Sequence, residues 1–175
     1  MWAVWSRMRH LHALELVPDA AGRDAVRRDW QALHDAGLPS QLDHPSPTNE
    51  PHLTVVSAQW LPSDAIDVAG VRLGSRLPVH ARASGLLLLG GEQLTVARAF
   101  DLDDDIVRKV LAVRVQVPDR QHDGWLPHVT LARRLDRADA QRAIDVLGYA
   151  DVVLTLTGLR RWDPENRSAE VLAGG

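Results

Sequence analysis

The residues best suited to chemistry in this chain lie in a short motif that occurs twice. Pro51-His52-Leu53-Thr54-Val55 is repeated, with small changes, as Pro127-His128-Val129-Thr130-Leu131. In an extended strand, residues i and i+2 point to the same face, so each copy places an imidazole and a hydroxyl side by side. With 8 His and 10 Pro in the chain, random ordering of the same residues gives roughly 0.02 copies of Pro-His-x-Thr. Chance therefore does not explain two copies.

Two imidazoles and two hydroxyls suit the transfer of a phosphodiester without a metal. The pKa of an unperturbed imidazole is about 6.5, so a neutral ring accepts a proton from an attacking oxygen while a charged ring protonates the leaving oxygen. Threonine hydroxyls hydrogen-bond the non-bridging phosphate oxygens, where negative charge builds in the transition state. We therefore expect no metal and no cofactor.

Length and composition limit the class of protein. A chain of 175 residues that is 45% hydrophobic buries a real core, as one domain or two small fused lobes. Without cysteine, it has no disulfide, thiolate nucleophile or cysteine-based zinc site. It contains neither a membrane-spanning apolar run nor a secretory signal pattern, and we expect a cytoplasmic location. The net charge of −3 argues against binding long nucleic acid through a basic surface, but allows a small anionic ligand.

Strands and helices alternate around the two motifs. The predicted strands cover residues 11–17, 52–58, 84–89, 93–100, 152–162 and 168–172. The predicted helices cover residues 19–36, 63–73, 102–117 and 136–147. Asp19, Asp101 and Asp136 are the expected N-caps of three of these helices. Gly90-Gly91 predicts a tight hairpin turn after a buried leucine-rich strand.

The two halves of the chain share an order of elements. In each half a strand, a long helix and a proline-containing loop precede the strand that bears His-x-Thr. Two such halves related by a pseudo-two-fold axis would bring both motif strands to a common cleft.

These motifs and their context resemble the 2H phosphoesterase superfamily, and within it the RNA 2',3'-cyclic phosphodiesterase or 2'-5' RNA ligase family. The resemblance rests on the two His-x-Thr copies, the element order, the glycine hairpin and the extension of the second motif through Ala132 and Arg133. It implies an α+β fold over residues 1–175, a single domain of two intertwined lobes with two antiparallel sheets, outer helices and a central cleft. The implied activity is metal-independent opening of 2',3'-cyclic phosphates.

The resemblance also implies roles for individual residues. His52 and His128 are the expected acid–base pair, with His128 activating water and His52 protonating the leaving oxygen. Thr54, Thr130 and Arg133 are the expected substrate-binding residues, although strict alternation puts Arg133 on the face opposite His128 unless a bulge intervenes. We expect a monomer whose partner is an RNA end or a small cyclic nucleotide, without a membrane or protein partner.

Other interpretations of the sequence stay open. The chain could be a nucleotide-binding module without turnover, or both motifs could be structural. A zinc hydrolase built on His10-Leu11-His12 is a further alternative, with ligands from among His34, His44, His80 and His122. We expect no carboxylates at ligand spacing beside these histidines. Trp125, Trp162 and Tyr149 are available either to stack a base or to pack against the strands.

Overall fold

The computed structural model describes residues 11–175, which form an α+β fold. The strands are β1 His12–Pro18, β2 Leu53–Ala58, β3 Val79–Gly90, β4 Gln93–Leu102, β5 His128–Asp136, β6 Val153–Asp163 and β7 Ser168–Gly174. The helices are α1 Ala20–Asp35, α2 Ser63–Arg72, α3 Asp104–Arg114 and α4 Ala140–Leu147. All the predicted elements are confirmed, with ends shifted by a few residues.

The strands form one sheet, with the order β2-β1-β6-β3-β4-β5. One side of β6 pairs with β1, while its other side is shared between β3 and β7. The prediction of two separate sheets is therefore wrong for the residues described, because β6 continues the hydrogen-bonding ladder from one half of the sheet into the other. All these pairings are antiparallel. The pseudo-two-fold relation of the halves stays a prediction.

Both motif strands lie at the ends of this sheet order. β2 pairs with β1, which precedes α1, and β5 pairs with β4, which precedes α3. The two halves thus place their motifs in the same way relative to a strand and a helix. An isolated bridge between Ala58 and Arg120 also joins the end of β2 to the loop that leads into β5.

Each motif strand is covered on its outer side by a tryptophan from the other half of the chain. The indole Nε1 of Trp125, just before β5, donates to the carbonyl of Thr54 in β2 at 2.9 Å. The indole Nε1 of Trp30, in α1, donates to the carbonyl of Thr130 in β5 at 3.1 Å. These bonds satisfy backbone groups that an edge strand would otherwise leave open.

The first helix shows how local sequence builds this frame. The Asp19 carboxylate accepts a hydrogen bond from the backbone N–H of Gly22 at 2.8 Å, which caps α1 as predicted. The predicted stripe of Val26, Trp30 and Leu33 is buried in the core. The helix therefore brings Trp30 to β5 by burying its apolar face.

Three details of the prediction were wrong. Asp101 belongs to β4, whose pairing with β3 extends to Leu102, and the N-cap position of α3 is Asp103. Asp136 precedes a short 3-10 turn rather than α4 itself. Leu88 and Leu89 are 38% and 36% exposed, because β6 pairs only with the first four residues of β3. No helix within residues 11–175 is both long enough and apolar enough to span a bilayer.

Candidate active site

Both motif histidines are held in the same way by the backbone. His52 Nδ1 lies 2.8 Å from the carbonyl oxygen of Glu50, and His128 Nδ1 lies 2.6 Å from that of Leu126. A carbonyl only accepts, so Nδ1 carries the hydrogen in each ring and Nε2 is the atom left for chemistry. In both motifs a proline stands between the histidine and this carbonyl, and its fixed φ limits how the anchor moves.

The two motif threonines are half-buried, like the histidines two residues before them. Within residues 11–175, neither the Thr54 nor the Thr130 hydroxyl takes part in a hydrogen bond between side chains or to the backbone. The backbone carbonyls of both threonines accept hydrogen bonds from the two indoles. Both hydroxyls are therefore available to a ligand at the same strands that present the histidines.

The surroundings of His128 favour its neutral form. Desolvation by burial is the main cause that lowers the pKa of His128 below its ordinary value, and the carbonyl of Leu126 opposes this. Positive charge on Arg133, His52 and His122 lowers the pKa further. His52 is thus one of the charges that bear on the His128 ring. A lowered pKa favours the neutral ring, which is the form that accepts a proton.

His52 lies in different surroundings, beside a buried ion pair. Its Nε2 is 3.4 Å from Oε1 of Glu15, and Oε2 of Glu15 accepts a hydrogen bond from Arg160 Nε at 2.8 Å. Arg160 also approaches the Glu50 carboxylate at 3.5 Å. Glu15 and Arg160 are only 4% and 8% exposed. Sequence reasoning missed both residues, although a charged side chain between apolar neighbours in a buried strand, as in Leu14-Glu15-Leu16, is a usable signal.

Strict alternation along β5 does not hold between His128 and Arg133. The register of β5 against β4 slips just after Thr130 and again before Leu135, where Arg134 has a positive φ of 59°. These irregularities interrupt the alternation of side chains. No carboxylate among residues 11–175 pairs with Arg133, and its positive charge acts on His128.

A buried arginine that the sequence did not reveal fixes the loop before the second motif. Arg114, at the end of α3, donates to the carbonyls of Val55 at 2.7 Å and Gly124 at 2.6 Å, and also to that of His122. It is 5% exposed. Arg114 thus joins the motif strand β2 to the segment that leads into β5. Its place next to Val113 on a buried helix face is the only hint in the sequence.

The candidate stacking residues lie in different surroundings. The indole of Trp125 is committed to the Thr54 carbonyl. Trp162 lies opposite Ala13 in the ladder between β1 and β6, two residues from Arg160 and on the same sheet face. Tyr149 is 85% exposed and lines a pocket formed by α4 and the strands β3 and β4, which contains no motif residue.

One histidine of the zinc-hydrolase alternative, His12, lies beside two carboxylates. The potential ligand atoms of His12, Asp163 and Glu165 lie within 4.8 Å of one another, so the expectation that no carboxylates accompany these histidines is wrong for His12. This is the only such group within the described part of the chain, and it contains neither motif histidine. His34 pairs with the exposed Asp43 at 2.8 Å, and His10 lies outside the described residues.

A pocket of about 340 Å³ lies beside the His52 network. It shares Glu50 and Arg160 with that network, and Arg23 and Thr48 add further polar groups. The remaining lining is mostly apolar. The pocket is therefore a site next to the first motif that has both apolar walls and hydrogen-bonding groups.

Comparison with known proteins identifies the fold. No protein-family model matches the chain, and no curated protein matches it in sequence. The protein TT0787 of Thermus thermophilus is similar in structure, with a TM-score of 0.57 and 16% identity over 93% of this chain and 94% of that one. Usb1 of Kluyveromyces marxianus has a TM-score of 0.53 and 13% identity, over 94% and 98%. E. coli LigT in complex with 3'-AMP has a TM-score of 0.51 and 12% identity, over 92% of each chain.

These solved structures belong to the 2H phosphoesterase superfamily. The resemblance predicted from the two motifs is confirmed at the level of the fold.

Proposed function

We propose that this chain, which shares its fold with members of the 2H phosphoesterase superfamily, is a metal-independent phosphodiesterase that opens 2',3'-cyclic phosphates on RNA ends or small nucleotides. The observation that carries the proposal is the matched pair of histidines, each bonded through Nδ1 to the carbonyl two residues earlier. Both rings present Nε2, and each stands beside a threonine hydroxyl that no described residue engages.

The reaction needs one proton acceptor and one proton donor. His128 Nε2 takes a proton from water as the water oxygen attacks phosphorus, and the bond from phosphorus to one ribose oxygen breaks. His52 Nε2 gives its proton to that leaving ribose oxygen. Afterwards His128 is protonated and His52 is neutral, and exchange with solvent restores the starting state. The product is a phosphate monoester on the same ribose.

The surroundings of the two rings support this assignment of roles. Burial and nearby positive charge lower the pKa of His128, which favours the neutral form that a base requires. Thr54, Thr130 and Arg133 are the groups that would stabilise the charge on the non-bridging oxygens. Their contribution requires no metal.

The acid must face the leaving ribose oxygen, so the nucleoside lies on the His52 side of the phosphate. We assign the nucleoside to the pocket beside Glu50 and Arg160, because Arg160 also contacts Glu15, the carboxylate next to His52. Binding of 3'-AMP by E. coli LigT, which has the same fold, is consistent with a nucleotide ligand. A 3'-phosphate is one of the two monoesters that opening a 2',3'-cyclic phosphate produces.

In the test, the purified protein is incubated with a strong chelator and with each of three substrates in turn. These are 2',3'-cyclic nucleotides, 3',5'-cyclic nucleotides and an RNA with a cyclic-phosphate end. We expect hydrolysis of the 2',3'-cyclic substrates and a loss of about 10²-fold or more in His52→Ala and His128→Ala. His80→Ala is the matched control, because His80 is an exposed strand histidine outside both motifs, whose ring lies 3.5 Å from the Thr155 hydroxyl.

Two results would contradict the proposal. Normal hydrolysis by both motif variants would remove the histidines from the reaction. Tight nucleotide binding by the wild-type protein without turnover of any substrate would indicate a binding module of the same fold.

A further inference from the structure

The ion pair beside His52 has no counterpart at His128. At the first motif, Nε2 faces the Glu15 carboxylate at 3.4 Å. No carboxylate among residues 11–175 lies within ion-pair distance of the His128 ring. The two motifs are thus alike in backbone anchoring and different in the charge that faces the reactive nitrogen.

Both nitrogens of the His52 ring face groups that only accept hydrogen bonds. Nδ1 is bonded to the Glu50 carbonyl at 2.8 Å, and the partner of Nε2 is a carboxylate. A neutral ring would direct the lone pair of Nε2 at the negative charge of Glu15, whereas an imidazolium donates at both positions. A ring that carries a hydrogen on Nε2, as a general acid does, therefore fits between these two acceptors.

Charged groups of both signs lie next to His52. Arg160 on β6 contacts the carboxylates of Glu15 on β1 and of Glu50 in the loop before β2, and Arg23 lines the pocket beside Glu50 and Arg160. Among residues 11–175, Glu15 is the carboxylate within ion-pair distance of the His52 ring.

We propose that Glu15 is a positioning residue, fixed by Arg160, that faces His52 Nε2 as an acceptor for its hydrogen and thereby assigns to this ring the role of general acid. The inference rests on the proposed function and extends it, because it explains why two similar motifs take opposite roles. Glu15 itself does not contact the phosphate. It acts only through His52 Nε2, which turns from the carboxylate to the leaving oxygen when substrate binds.

The experiment compares two substrates that differ in the leaving group. A 2',3'-cyclic nucleotide has an alkoxide leaving group that needs a proton, while a p-nitrophenyl phosphodiester releases a stable phenolate that does not. Glu15→Gln should reduce kcat for the cyclic nucleotide by roughly 10- to 100-fold and change kcat for the p-nitrophenyl ester by less than about 3-fold. A merely structural role would reduce both rates by the same factor, and that result would overturn the proposal.

The matched control is Asp105→Asn, which removes a carboxylate that pairs with Arg76 and Lys109 rather than with a motif residue. It should leave both rates within about 3-fold of wild type. Because loss of one member of a buried ion pair can prevent folding, the double variant Glu15→Gln/Arg160→Gln provides a second test. We expect the same dependence on the leaving group from it.

A direct measurement separates this inference from the proposed function. Side-chain ¹⁵N NMR at a fixed pH near neutrality reports the fraction of His52 in the imidazolium form, whether or not any substrate is turned over. We expect a larger charged fraction for His52 in the wild type than in Glu15→Gln. Equal fractions would refute the role of Glu15, while absence of turnover by the wild type would refute only the proposed function.

Discussion

Replacing Arg114 by methionine should cost a large part of the stability of this fold. Its guanidinium donates to three carbonyls, and one of them belongs to Val55, which is fully buried. Leaving that carbonyl without a donor costs about 2–3 kcal/mol, because hydrogen bonds from charged groups are the stronger kind. The carbonyls of His122 and Gly124 lie in exposed residues, so water replaces the lost donor there and each adds about 0.5 kcal/mol.

We therefore expect Arg114→Met to lower the free energy of unfolding by about 3–4 kcal/mol, measured by urea denaturation with tryptophan fluorescence. Arg120→Met is the matched control in the same segment. Arg120 donates to the Val117 carbonyl at 3.2 Å and to Asp123 at 3.1 Å, and Asp123 is 97% exposed. Its removal should cost at most about 1 kcal/mol. A loss below about 1 kcal/mol in Arg114→Met, with an unchanged m-value, would refute the assigned role of Arg114.

Three further predictions concern the proposed reaction. The acid limb of the pH profile of kcat/KM should have its midpoint below about pH 6.5, because the pKa of the proposed base His128 is lowered. Arg133→Met removes a positive charge that lowers this pKa, so it should move the midpoint upward. An unchanged midpoint would exclude Arg133 from the site. Thr130→Val should lower kcat by about 10²-fold with Thr130→Ser recovering most of it, whereas equal rates in both variants would remove the hydroxyl from catalysis. Thr48→Tyr should fill the pocket beside Glu50 and raise KM for cyclic nucleotides about 10-fold with kcat nearly unchanged; an unaltered KM would place the nucleoside elsewhere.

Local patterns were sufficient to predict the motifs and their strands. The i, i+2 spacing in His52-Leu53-Thr54 requires only an extended backbone to put both groups on one face, and β2 has that backbone. Asp19 and the stripe on α1 were likewise readable because capping and helical periodicity act within one or two turns.

Interactions between distant strands could not be predicted in the same way. Glu15 meets Arg160 only because β1 pairs with β6 in a particular register, and no local rule fixes that register. The single sheet has the same origin, because one side of β6 is shared between β3 and β7. The position of Arg133 depends on irregularities in β5 that involve no glycine or proline.

The two halves depend on each other through the backbone of their motifs. Trp30 from the first half closes the outer side of β5, and Trp125 from the second half closes the outer side of β2. A half that folded alone would leave its own motif strand with an unpaired carbonyl at the threonine on which the proposed phosphate contact depends. The frame is therefore shared, while the charges are not: Glu15 faces one histidine, and positive charge surrounds the other. A reaction that needs an acid and a base at the same phosphate requires this combination of matched geometry and opposite electrostatics.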